Sequence, residues 1–135
     1  MGRLESLESG AREAGHLEQG ESVQQYALTK GGVPVKQGEG AIKALGGTIM
    51  AMHNRGALLA TDRSLHVVGL GQLGFKSVKE EVLELPIADV ELSRSGSTLK
   101  VGRRGEPALW VFDLPPFISK IKQLTRYVDS RAEAP

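Results

Sequence analysis

Residues 56–68 read GALLATDRSLHVV: two apolar runs of strand length on either side of the polar step Thr61-Asp62-Arg63-Ser64. A carboxylate such as Asp62 can accept backbone amides two residues on and so favours a tight turn. Two apolar runs joined by such a turn make an antiparallel hairpin. Asp62 and Arg63 are therefore read as turn residues rather than as the mouth of an active site.

Further strands follow on the C-terminal side. Leu83, Leu85 and Ile87 alternate with Glu84 and Pro86, the period of a half-buried strand, and DVELSR continues it. Pro86 has no amide to donate, so it marks a bend or bulge at a sheet edge. SRSGST is a turn, TLKV a strand, RRGEP a turn and ALWVFDL a strand with Trp110 and Phe112 on one face. Asp113 then suits a cap, and Pro115-Pro116 suits a first helical turn, where no amide donor is needed. Phe117, Ile121, Leu124 and Val128 recur at helical spacing, with Lys120, Lys122, Arg126 and Arg131 off the stripe. The tail from Arg131 is expected to fray.

The N-terminal side is less regular. Leu4, Leu7, Ala11, Ala14 and Leu17 form a helical stripe of small apolar residues over residues 4–18. Gly10 and Gly15 weaken it, so the helix must pack on something, either its own domain or a partner. ESVQQYALT reads as a strand. Residues 30–55 are glycine-rich and unreadable, and residues 41–52 fit a strand or a short helix equally well.

With 135 residues the chain has the length of one domain. Apolar residues make up 40% of it but aromatics only 4%, so the core must be mainly aliphatic. A net charge of +1 from 17 basic and 16 acidic residues argues against nucleic-acid binding, which draws on a basic excess. The absence of cysteine excludes disulfides, thiol nucleophiles and thiolate metal sites. No apolar run reaches the roughly 20 residues of a membrane span, and no secretory signal opens the chain, so a cytoplasmic location is expected. Met1-Gly2-Arg3-Leu4-Glu5-Ser6 fits the myristoylation pattern but has no polybasic follow-on.

Three segments, LEQGESV (17–23), GALLATDRSLHVV (56–68) and LPIADVEL (85–92), resemble in order and spacing the bacterial pleckstrin-homology-like domains. Those carry an L-x-x-G-E-x-V entry, an apolar-T-D-R-x-L-apolar hairpin and a P-L-x-D-I strand pair. The resemblance covers residues 17–131, with a longer gap than usual at 30–55. It implies a mostly β, α+β fold: a two-sheet antiparallel β-barrel domain over 19–131, capped by a helix at 115–131 and preceded by a helical extension at 1–18. It also implies a binding or assembly module, not an enzyme.

A rival reading rests on GLGQLG, residues 69–74, which matches the dinucleotide fingerprint through Gly69, Gly71 and Gly74. FKSVKEEVLEL would be its helix and Asp89 its ribose-binding acid. The chain that remains is too short for a full dinucleotide fold, and the tight turn upstream makes the neighbouring strand antiparallel. Catalysis finds little support: His16, His53 and His66 are scattered, and no HExxH, GxSxG or P-loop is present. His66, inside an apolar strand, reads as a satisfied or half-exposed histidine. No metal site and no cofactor are expected. Lys36, Lys43, Lys76, Arg103 and Arg104 would gather at one barrel end as a weak site for an anionic membrane surface or phosphorylated ligand. The expected function is a non-catalytic module that binds a protein partner or itself as a homo-oligomer.

Overall fold

The structure, a computed structural model, describes residues 2–34, 55–71, 78–114 and 119–133. Helix α1 (Arg3–Glu13) is followed by strands β1 (Val23–Thr29), β2 (Gly31–Pro34), β3 (Gly56–Thr61), β4 (Ser64–Leu70) and β5 (Val78–Pro86). A 3-10 turn (Ile87–Asp89) leads to β6 (Val90–Ser95), β7 (Thr98–Arg103) and β8 (Trp110–Asp113), and helix α2 (Ser119–Glu133) comes last.

The strands form two antiparallel sheets, in the orders β1-β3-β4-β5 and β2-β8-β7-β6. The chain crosses between them three times, from β1 to β2, from β2 back to β3 and from β5 to β6. Only Lys30 separates β1 from β2, and its amide bonds the Asp113 carbonyl at 2.9 Å. At the last crossing Pro86 ends β5, and the 3-10 turn is fixed to both sheets: Ile87 N–H to the Arg63 carbonyl, and Arg104 N–H to the Asp89 carbonyl. The bend expected at Pro86 is thus a change of sheet. Two such sheets closed by a terminal helix are the pleckstrin-homology-like arrangement that the sequence motifs imply.

The interior is aliphatic around one aromatic pair. Leu58, Ala60, Leu65, Val67 and Leu85 from the first sheet meet Val90, Leu99, Val101, Trp110 and Phe112 from the second. Trp110 and Phe112 stack with ring centroids 5.8 Å apart, as their shared face requires. Ile121, Leu124 and Val128 of α2 close this core. A fully buried side chain of this kind stabilises by roughly 1.5–3 kcal/mol. Helix α2 runs to Glu133, so the tail is ordered as helix beyond Arg131, where fraying was expected. The expected helix start at 115–118 lies outside the described residues, as do residues 35–54.

A second, smaller cluster lies on the other face of the first sheet. Leu7 and Ala11 of α1 bury against Val23, Tyr26, Ala57, Leu59, Val68 and Leu70. The helix expected over 4–18 ends at Glu13, because Gly15 adopts φ +82° and turns the chain away. Its packing is on its own chain.

Candidate functional site

Strand alternation places Thr61 and His66 on the α1 side of the first sheet, opposite the interior residues Ala60 and Leu65. In a flat strand Glu81 and Glu84, three residues apart, would face opposite ways. The β4–β5 register shifts between Val67 and Val68, however, pairing His66 with Glu84 and Val68 with Glu81. That bulge turns Val82 and Leu83 towards the interior cluster and leaves both carboxylates beside the His66 ring.

The result is a chain of ionisable groups in which His66 and Glu21 are buried. His66 Nδ1 lies 2.6 Å from Glu81 Oε2 and 3.8 Å from Glu84 Oε2. Its Nε2 lies 2.7 Å from Glu21 Oε2. The Thr61 hydroxyl donates to the same Glu21 oxygen at 2.5 Å, and the Glu18 amide donates to Glu21 Oε1 at 2.9 Å. Burial opposes the charge on His66, but its hydrogen bonds to Glu81 and Glu21 outweigh that and push its pKa up to about 9. Burial likewise opposes ionisation of Glu21, yet the bonds from Thr61 and His66 hold its carboxyl below the ordinary value.

This cluster sits beneath the segment that joins α1 to β1, and further bonds hold that segment down. Glu8 accepts the Val23 amide at 2.8 Å, Arg12 donates to the Glu21 carbonyl at 2.7 Å, and the His16 Nε2 lies 2.7 Å from the Lys79 carbonyl of β5. Arg63 pairs with Glu18 at 2.9 Å. From the other side, the Tyr127 hydroxyl of α2 donates to the Thr61 carbonyl at 3.0 Å, and Arg131 donates to the Asp62 carbonyl at 3.2 Å.

The hairpin turn therefore anchors both ends of the chain. Its internal bonds differ from those expected. The Thr61 hydroxyl, not the Asp62 carboxylate, takes the amides of Arg63 and Ser64, at 3.0 and 2.9 Å. His66 is satisfied, as its apolar surroundings required, but fully buried and bonded at both nitrogens to carboxylates.

Strand β5 forms the outer edge of the first sheet and pairs along one side with β4. Its Lys79, Glu80 and Glu84 are exposed, while Val78, Val82 and Leu83 are half-buried. The helix that a dinucleotide site needs after GLGQLG is absent from residues 78–85, which belong to this strand. Gly69 lies within β4 opposite Gly56, and Gly71 opens the connection between two antiparallel partners. Gly74 falls outside the described residues.

Of the five basic residues expected to gather, Lys36, Lys43 and Lys76 lie outside the described residues. Arg103 and Arg104 are adjacent and exposed at the end of β7. Arg104 is paired with Asp129 of α2 at 3.1 Å. Arg103 borders a shallow hollow that it shares with Glu106, Pro107 and Leu109, which sets a carboxylate beside the cation. Among the described residues no helix is long and apolar enough to cross a membrane.

No protein-family model matches the chain, and no curated protein matches it. Solved structures do resemble it. A DUF1696 family protein with a pleckstrin-homology domain from Shewanella loihica PV-4 is 13% identical over 96% of this chain and 92% of its own, with a TM-score of 0.48. A pleckstrin homology domain from Shewanella amazonensis SB2B is 15% identical, covering 93% and 96%, with a TM-score of 0.45. The Slm1 pleckstrin-homology domain in complex with D-myo-inositol-4-phosphate is 9% identical, covering 82% and 95%, also at 0.45. These are likenesses of fold.

Proposed function

We propose that the chain is a non-catalytic binding module whose contact edge is β5, taking up an extended segment of a protein partner or of a second copy. One observation carries the reading: a nine-residue strand, Val78–Pro86, ends the first sheet and pairs on one side with β4. Among the described residues no strand pairs with the outer side of β5, and apart from the Lys79 carbonyl already held by His16 the strand offers amides and carbonyls in the spacing of an added strand, with half-buried Val78, Val82 and Leu83 beside them. The exposed Lys79, Glu80 and Glu84 restrict such pairing to segments of complementary charge.

Hydrogen exchange across residues 78–86 tests this, read beside light scattering at two protein concentrations and in the presence of extended peptides selected by display. The expected result is fast exchange on the free side of β5 in the dilute chain. Those amides should slow either as the mass rises with concentration or as a selected peptide saturates. Exchange at β5 that stays the same under every condition would overturn the reading. The basic-end alternative gains no support from the pairing of Arg104 with Asp129 or from the neighbouring Glu106.

A further inference from the structure

We propose that His66, Glu81 and Glu84 form a site for one divalent transition-metal ion of the zinc type, with Glu21 as the carboxylate that orients the histidine. The inference does not rest on strand addition at β5, although Glu81 and Glu84 belong to that strand.

Four observations point to it. His66 Nδ1 and one oxygen each of Glu81 and Glu84 lie within 4.8 Å of one another. A tetrahedral ion bonded at about 2.0–2.2 Å holds its ligands roughly 3.4 Å apart. The present separations from Nδ1, 2.6 Å to Glu81 and 3.8 Å to Glu84, fall on either side of that value.

The second observation is the bulge. One carboxylate is enough to pair with an imidazole, and a regular strand would supply one. The shift at Val67–Val68 brings two from the same edge strand to the same ring nitrogen. The third is the far side of the ring. Ligating histidines almost always give their other N–H to a carboxylate or carbonyl, which fixes the tautomer and ring plane. Glu21 accepts from Nε2 at 2.7 Å and is itself held by Thr61 and the Glu18 amide, so Nδ1 faces the two glutamates, and the proton it shares with Glu81 in the metal-free chain leaves to solvent as the ion binds.

The fourth is charge and access. Glu21, Glu81 and Glu84 place three carboxylates about one imidazole, more negative charge than a single imidazolium balances. Glu81 and Glu84 have side chains 19% and 46% exposed, so an ion reaches the site from the strand edge while His66 stays buried. One imidazole with two carboxylates and no thiolate suits zinc, cobalt or manganese better than calcium or magnesium. Three protein ligands leave a coordination position for water or for a donor from another molecule.

The test titrates zinc chloride and cobalt chloride onto the full chain after removal of metal with a chelator. Calorimetry reads the stoichiometry, and nitrogen-15 NMR of the imidazoles reads the ligand. One equivalent should bind, shifting the Nδ1 resonance of His66 while its Nε2–H persists. Glu84→Gln and Glu81→Gln should each weaken binding by at least about tenfold, the scale on which even an orienting partner acts. Glu91→Gln, exposed on β6 and outside the cluster, should leave metal binding unchanged. Circular dichroism checks that each variant is folded, and Glu84→Gln, on a half-exposed side chain, keeps the test available if Glu81→Gln is not. Absence of binding at millimolar metal overturns the proposal. So does binding unchanged in both variants, or a shift at His16 or His53 in place of His66.

Discussion

The first sheet carries a core on each of its faces, and the two are built differently. Towards the barrel interior it is apolar, with aliphatic side chains, the stacked Trp110 and Phe112 and the apolar stripe of α2. Towards α1 the apolar cluster is smaller, and Leu7 and Ala11 are the helix residues fully buried in it. The remainder of that face is closed by Glu21, Thr61, His66 and Glu81. Apolar burial is non-directional and tolerates sliding, whereas a hydrogen-bonded ionic chain fixes one position. The small helix is thus located by polar bonds at its trailing loop, and the large one by the depth of its apolar face.

The largest expected effect lies in the apolar interior. Phe112→Ala, at a fully buried side chain stacked on Trp110, should lower unfolding free energy by about 3–5 kcal/mol in urea titrations. If the same chain with Leu7→Ala proved the less stable of the two, the ranking of the two faces would be reversed.

Next comes the polar chain. Glu21→Ala removes the buried carboxylate between Thr61 and His66 and should cost about 3 kcal/mol, because breaking a buried pair leaves its partner uncompensated. The cost should depend on pH. The His66 pKa is about 9 in the folded chain against an ordinary 6.5, so its contribution is full below 6.5 and fades as pH rises through 9. Glu21 is held below its ordinary 4.5, so its contribution is present above 4.5 and fades as pH falls through the folded value. The gap between the native chain and Glu21→Ala, measured with chelator present, should therefore be widest between about pH 4.5 and 6.5. A gap that is flat from pH 5 to 10 would show that Glu21 adds nothing to the proton affinity of His66.

Leu7→Ala should cost about 2 kcal/mol, at the lower end for a buried leucine because its cluster is small and edged by half-buried side chains that can close on the gap. Amides of α1 should then exchange far faster than those of β3 and β4, since a small cluster opens before the global unfolding of the barrel. Equal loss of protection in α1 and β3 would mean that the two faces unfold as one unit.

Much of the barrel was legible because strand alternation and turn chemistry are local. The hairpin at 56–70, the bend at Pro86, the turn at Gly96 and the stripe of α2 each declare themselves within a dozen residues. The candidate site was not legible in that way. Thr61 reads as a turn residue, yet its partners Glu21 and Tyr127 lie 40 and 66 positions away. Glu21 and Thr61 belong to two of the motifs on which the family resemblance rests, and their contact gives those short motifs a shared physical reason. Glu81 and Glu84 join them through a bulge, and nothing in the alternation of β5 announces a shifted register.

The smallest expected effect is at the basic end. Arg104 and Asp129 join β7 to α2 by an ion pair 37% and 58% exposed on its two sides, where water and salt screen the charges. Arg104→Ala should change stability by no more than about 0.5 kcal/mol, the usual yield of such pairs. It also separates the two uses imagined for that residue. If Arg104 serves only to tie α2 down, Arg103→Ala with Arg104→Ala leaves retention on anionic vesicles unchanged at low salt. Retention by the native chain that falls steeply with salt, and that disappears in the double variant, would move the binding surface from the edge of β5 to the end of β7.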